Sequence, residues 1–171
     1  GIESTLLLLQ QRMKKPEEAF EIQLVRKYEN LPLVNCYAGE LNQVFLNLFN
    51  NAIDSLEQQF SQPLLSQETP TIWISTELVE SQMVVIRIRD NGVGVEEALR
   101  SRLFDPFFTT KPIGKGVGLG LSTSYQIVVE KHRGQMIFEV PAQGGAEFIV
   151  QLPIYTHPKL ITGQDLAQSH V

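Results

Sequence analysis

Gln82-Met83-Val84-Val85-Ile86-Arg87-Ile88-Arg89-Asp90-Asn91-Gly92-Val93-Gly94 is an aliphatic strand that runs straight into a glycine turn. Val84, Ile86, Ile88 and Asp90 share one face by the two-residue period of a strand. A second strand over residues 71–78 precedes it, and the turn between them makes a hairpin. Working outward, residues 21–28 read as a strand, Asn30-Leu31-Pro32 as a turn and 34–37 as a short extended piece. Residues 39–60 are the clearest helix: Leu41, Val44, Phe45, Leu48, Phe49, Ala52, Ile53 and Leu56 recur at three- and four-residue steps and form one apolar stripe. Residues 61–70, rich in proline and polar side chains, form a loop. A short helix over 96–103 leads into a Gly- and Pro-rich region, 104–118, and a second good helix over 119–131. Strands over 135–140 and 146–152 are joined by Ala142-Gln143-Gly144-Gly145. Hairpin-connected strands alternating with helices predict an α/β (α+β) two-layer sandwich with a mixed sheet, rather than a doubly wound parallel sheet. No strand leads directly into Gly-x-Gly-x-x-Gly and a helix, which argues against a dinucleotide fold.

The chain has 171 residues, of which 43% are hydrophobic and 19% charged. That is the profile of one globular domain with a real core. A net charge of −5 argues against a general nucleic-acid or anionic-membrane surface. The single Cys36 cannot form an internal disulfide, which fits a reducing compartment. No apolar run approaches the roughly 20 residues of a membrane-spanning helix, so direct membrane insertion is not expected. Residues 2–14 read as a helix closed by Pro16. Its run Leu6-Leu7-Leu8-Leu9 is either core or the end of a helix whose partner lies elsewhere, and with Gly1 it suggests a piece of a longer protein. The tail after Pro153 lacks periodicity and is expected to be disordered.

Four segments carry the chemistry. Asn47, Asn51 and Asp54 lie four and three residues apart, on one helix face away from the apolar stripe. They are either a solvated surface or amide oxygens aimed at a hard cation such as Mg²⁺, which takes one or two protein oxygens plus phosphates. Asp90 ends a row of core-facing aliphatics, where a carboxylate is costly without donors. It either caps its own turn or meets the amino group of adenine, with Gly92 and Gly94 letting the backbone lie close under the base. Phe104-Asp105-Pro106-Phe107-Phe108 anchors a loop by its rings, or hinges a mobile lid; an anchored hinge serves both. Lys111 and Lys115 flank Gly114 and either face solvent or reach phosphate oxygens. Gly114, Gly116, Gly118 and Gly120 alternate into a helix, which presents N–H groups and a positive dipole end to an anion. The Gly-Lys-Ser/Thr ending of a Walker loop is absent. Leu119 and Leu121 are expected to pin that helix, and Ser122 or Thr123 to cap it.

In this order and spacing, Asn47 to Ala52, Asp90 to Gly94, Phe104 to Phe108 and Gly114 to Gly120 resemble the N, G1, F and G2 boxes of the ATP-binding domain of sensor histidine kinases. That domain belongs to the superfamily of gyrase, heat-shock chaperone, histidine kinase and mismatch-repair ATPases. The resemblance covers residues 2–153 and implies a Bergerat-type fold, ATP and Mg²⁺. It makes Asn51 the Mg²⁺ ligand with Asn47 in support, both serving catalysis. It places Asp54, Asp90, Gly92, Gly94, Phe107, Lys111, Lys115, Gly116, Val117, Gly118, Leu119 and Gly120 around the nucleotide. Gly144-Gly145-Ala146-Glu147-Phe148 resembles the last family box. Ala146 and Val117 stand where threonines are common, which puts those hydroxyl contacts in doubt.

By the same resemblance, residues 1–15 would be the end of a dimerisation or phosphoacceptor helix, 16–155 the catalytic domain and 156–171 a tail. The family phosphorylates a histidine in a His-Glu or His-Asp setting; His132, His157 and His170 lack it. The phosphoacceptor is therefore expected on a helical-hairpin domain of the same full-length protein, with a response-regulator receiver downstream and a cytoplasmic setting. His132, near a helix end where a cation suits the dipole, reads as structural. Hydrolysing members usually carry a glutamate one turn before the metal asparagine; here that position is Asn47. This disfavours a free-standing ATPase, and a nucleotide-sensing module that transfers nothing is the other alternative.

Overall fold

The structure is a computed structural model that describes residues 1–14, 21–60, 68–80, 82–111 and 116–154. Pro16, most of the 61–70 loop, Gly114, Lys115, His157, His170 and the tail fall outside the described residues. Among the described residues ten elements follow one another: α1 (Ile2–Met13), β1 (Gln23–Tyr28), α2 (Ala38–Phe60), β2 (Thr71–Val79), β3 (Met83–Asp90), α3 (Glu97–Arg100), α4 (Gly120–Tyr125), a π-helical continuation (Gln126–Lys131), β4 (Gln135–Glu139) and β5 (Ala146–Pro153). The strands form one sheet in the order β1-β2-β3-β5-β4. β1 joins β2 in parallel, and every other pairing is antiparallel. The sheet is therefore mixed, as the hairpin connections require.

Strand alternation separates the two faces of the sheet. Ile72, Ile74, Val84, Ile86, Ile88, Phe148 and Val150 enter the same core as the α2 stripe. All eight apolar positions of that stripe are buried. The reverse face carries charge: Arg87 pairs with Glu77 at 3.2 Å and approaches Glu147 at 3.9 Å, and Arg89 stacks over Trp73. One face packs on helices and the other bears ion pairs, which is a two-layer arrangement.

The leucine run of α1 serves two surfaces. Leu6, Leu9 and Met13 are buried in the core, while Leu7 and Leu8 remain 70% and 78% exposed. Residues 34–37 form no strand; the Asn35 amide ties them to the end of the sheet by donating to the Ile154 carbonyl at 3.4 Å. The helix expected over 96–103 is a single turn, α3, continued by turns in which Arg102 and Leu103 donate back to Leu99 and Arg100.

His132 is buried, as a structural residue should be, but its state differs from the expected cation. The Tyr37 backbone N–H donates to its Nε2 at 3.0 Å, and its Nδ1 lies 2.7 Å from the Ile127 carbonyl. One ring nitrogen accepts and the other donates, so the ring is neutral. Burial leaves no room for an unpaired cation there. The His132 amide reaches Ile127, five residues back, which is the π-helical step.

Burial predicts stability directly. Leu48→Ala, at a site with no exposure, is expected to cost about 3 kcal/mol. Leu8→Ala, at an exposed site, is expected to change stability by less than about 0.5 kcal/mol. Urea unfolding of the two variants measures the contrast.

Candidate functional site

The aliphatic strand β3 delivers Asp90 to its end with only 3% exposure. Ser55 Oγ, from α2, donates to Asp90 Oδ1 at 3.1 Å, and the Gly92 amide donates to the same oxygen at 2.9 Å. Among the described residues no donor reaches Oδ2. Burial pushes the carboxyl up to about 6, with the Gly92 and Ser55 donors opposing it. Asp90 thus combines the turn-capping bond expected of Asp-x-Gly with a second oxygen left over for a ligand. Asn91 is committed elsewhere: its side chain bridges the Thr71 amide and the Thr69 carbonyl, fixing the start of β2.

Gly92 is required by the helix rather than by space for a base. A Cβ there would sit 2.2 Å from Ser55 Oγ and 2.6 Å from the Ser55 backbone. The turn can pass α2 only without a side chain, and this approach sets Ser55 beside Asp90. Gly92 accordingly does not line the cavity, whereas Gly94 does.

That cavity has a volume of about 590 Å³ and is the place where the sequence segments meet. Asn47, Asn51 and Asp54 of α2 form one wall, Asp90 and Gly94 another, and Gly116 to Gly120 a third. Leu99, Leu103, Ala146 and Phe148 add apolar lining. Ala146 lies opposite Asp90 in the β3–β5 register, so the carboxylate has an apolar neighbour. A separate cleft of about 760 Å³, lined wholly from residues 3–26, contains none of the four segments.

The polar wall is already occupied by the protein's own cations. Lys111 Nζ donates to Asn51 Oδ1 at 3.1 Å and pairs with Asp54. Arg12, from α1, also pairs with Asp54 and reaches Asn50 at 2.8 Å and Glu57 at 3.0 Å. Partial burial opposes ionisation of Asp54, but hydrogen bonds from Arg12 and Lys111 outweigh it and hold the carboxyl below its ordinary range. Burial likewise opposes the Arg12 charge, and Asp54 and Glu57 reverse that. Asn47 is engaged differently. Its amide nitrogen donates to the Gly120 carbonyl at 3.0 Å and to Ser124 Oγ at 3.1 Å. Its Oδ1 accepts from Gln43. Asn47 clamps α4 against α2.

Of the glycine segment, Gly116, Gly118 and Gly120 are described, and all three line the cavity. Gly118 has φ +72°, and a Cβ would come within 2.5 Å of the Phe107 backbone. Left-handed backbone and this close approach together call for glycine. Phe107 itself adopts φ 64°, is 71% exposed and does not line the cavity; Phe108 does, under the Arg102 guanidinium. Val117 and Leu119 line the cavity while largely facing outward. Leu121 alone of the leucine pair packs on the core. The expected cap is missing: Ser122 Oγ donates back to the Leu119 carbonyl, and no side chain caps α4. Among the described residues no side chain therefore competes for the N–H groups of its first turn, which lies beside the cavity.

Sequence reasoning missed Arg12, Ser55 and Ser124, and it placed Phe107 rather than its neighbour Phe108 at the nucleotide. Ser55 alone left a signal, lying one helical turn beyond Asn51. Among the described residues no group of three His, Cys, Asp or Glu side chains could hold a metal ion. No helix among them is long and apolar enough to cross a membrane.

Comparison with known proteins identifies the family and the fold. Residues 37–156 match the family described as histidine kinase-, DNA gyrase B-, and HSP90-like ATPase. Sporulation kinase E of Bacillus subtilis is 32% identical over 126 residues, covering 74% of this chain and 15% of that protein. The sensor protein TdiS of Thauera aromatica is 30% identical over 154 residues, covering 90% of this chain and 26% of that one. The chain thus spans only a small part of the length of these curated relatives. The nucleotide-free catalytic domain of the histidine kinase ThkA superposes with a TM-score of 0.71 at 28% identity, covering 89% of this chain and 90% of that one. ThkA has also been solved in complex with the response regulator protein TrrA, where the match has a TM-score of 0.68 at 25% identity and covers 90% of this chain and 39% of that one. The chain belongs to the histidine kinase-, DNA gyrase B- and HSP90-like ATPases, and within them it is an ATP-binding catalytic domain of the histidine kinase type.

Proposed function

We propose that the cavity binds ATP with Mg²⁺ and presents the γ-phosphoryl group to a histidine on a separate helical-hairpin domain of the same full-length protein. The observation that carries this reading is Asp90: a buried carboxylate with one oxygen satisfied and the other unclaimed among the described residues, beside apolar lining. The amino group of adenine fits it, since its N–H donors suit a carboxylate acceptor in an apolar slot. The phosphates would lie toward Gly116, Gly118 and Gly120, where the uncapped first turn of α4 offers N–H groups. Lys111 and Lys115 are their candidate cationic partners.

Mg²⁺ fits the residues present. Asn51 Oδ1 already accepts from an ammonium, so its lone pair is aimed where a cation can sit. Asn51 is the ligand in this reading, and Asn47 is the supporting group that holds α4 in place. Bound there, the metal would neutralise phosphate charge. The chain's own residues do the rest by positioning. Hydrolysis is the weaker reading. Asn47 stands at the position of the hydrolytic glutamate, and Asp54, depressed by two cations, is a poor base for water. Residues 1–15 would lead toward the helical domain, a response-regulator receiver would take the phosphoryl group onward, and the setting would be the cytoplasm.

Four measurements test this. Asp90→Ala is expected to weaken binding of a non-hydrolysable ATP analogue by about 100-fold, the loss of a charge-assisted bond in a dry slot; calorimetry reads it, and unchanged affinity refutes the adenine assignment. Accepting from adenine needs the ionised carboxylate, and the free carboxyl titrates at about 6. Affinity should therefore be full above that pH and fall as pH drops through it, a loss absent from the much weaker binding of Asp90→Asn. Asn51→Ala should weaken binding more with Mg²⁺ than without; equal losses count against the metal role. Radiolabelled ATP supplied with the parent protein's helical hairpin should label a histidine there.

A further inference from the structure

Asp54 is shared by two distant parts of the chain. Its Oδ1 takes the Arg12 guanidinium from α1, and its Oδ2 takes the Lys111 ammonium. Arg12 and Lys111 each hold further α2 oxygens, on Asn50 and Glu57 for the first and on Asn51 for the second. About a third of each of the three charged side chains is exposed, so their charges are only partly screened. Two cations on one carboxylate repel each other and divide its attraction. Arg12 does not line the cavity, whereas Asp54 and Lys111 do. A metal ion on Asn51 cannot share that oxygen's present position with the Lys111 ammonium.

We propose that Arg12 is a positioning residue for the nucleotide site. By competing for Asp54 it weakens the hold on Lys111, which can then leave Asp54 and Asn51 for the phosphates. This rests on the nucleotide reading above. A magnesium–triphosphate remains net anionic, so its arrival draws Lys111 away and leaves Arg12 as the partner of Asp54. Docking of α1 and binding of nucleotide then favour each other, and linkage makes the effect equal in both directions. Without Arg12, the Asp54–Lys111 pair tightens and the oxygen on Asn51 is harder to vacate.

The test is a double-mutant cycle on this chain, read by calorimetry with Mg²⁺ and a non-hydrolysable ATP analogue. Arg12→Met is expected to weaken binding about fivefold, the low end of typical site-to-site coupling. In a Lys111→Met background the same change should have no effect. Arg12→Lys, which keeps the charge, should restore most of the affinity. Nucleotide should also slow amide exchange in Ile2–Met13 of the parent chain but not in Arg12→Met. Unchanged affinity in Arg12→Met overturns the proposal. Equal losses in both backgrounds overturn it too, because α1 would then support the pocket by packing alone. Should Arg12→Met fail to fold by circular dichroism, Arg12→Gln is read in the same two backgrounds with the same outcomes. If the unaltered chain binds no nucleotide, the nucleotide reading itself fails, and this proposal with it.

Discussion

Helix α2 passes the end of β3 so closely that Gly92 lies against Ser55, and the rest of the site is arranged around that contact. The approach aims the Ser55 hydroxyl at Asp90 and lets the Gly92 amide fold back onto the same oxygen. A carboxylate could not otherwise end an aliphatic strand at 3% exposure without a large desolvation cost. The two donors offset part of that cost and leave the rest as a raised carboxyl. The same helix then carries Asp54 beside Ser55 and Asn51 one turn back along the cavity wall. One packing contact between a strand end and a helix therefore sets both the apolar and the polar ends of the pocket.

Local periodicity explains why the fold was legible. The stripe from Leu41 to Leu56 and the alternation in β2 and β3 are properties of contiguous residues, and burial followed them. Asp90 and the glycine segment were legible because their residue types conflict with a plain core or a plain helix start. Arg12 was not. It lies 42 residues from Asp54 in the chain, and an arginine late in an amphipathic helix looks like any solvated one. Phe107 and Phe108 were indistinguishable as adjacent aromatics, and only the left-handed backbone at Phe107 turned one out and the other in. The charge state of His132 was hidden for a similar reason, since its ring is held by the amide of Tyr37, 95 residues away.

The polar wall of the pocket is a saturated electrostatic system. Asp54, Asn51, Arg12 and Lys111 satisfy one another, and Asn47 is taken by α4 and Gln43. These five side chains all have partners before any ligand arrives. Entry of an anionic ligand thus exchanges partners more than it creates them. Such an exchange keeps the empty pocket charge-balanced and favours ligands that bring their own cation.

The π-helical turns at Gln126–Lys131 have an evolutionary corollary. A helix with five-residue hydrogen bonds holds more residues per turn than an α-helix of the same rise. Deleting one residue there without tightening those turns would rotate everything beyond it by about 100°. His132 would swing out of its clasp, and Gly134, whose amide reaches the Val128 carbonyl at 2.8 Å, would lose register with the start of β4. The irregular count is thus the condition for handing the chain from helix to sheet edge, and length changes should be tolerated in neighbouring loops but not here.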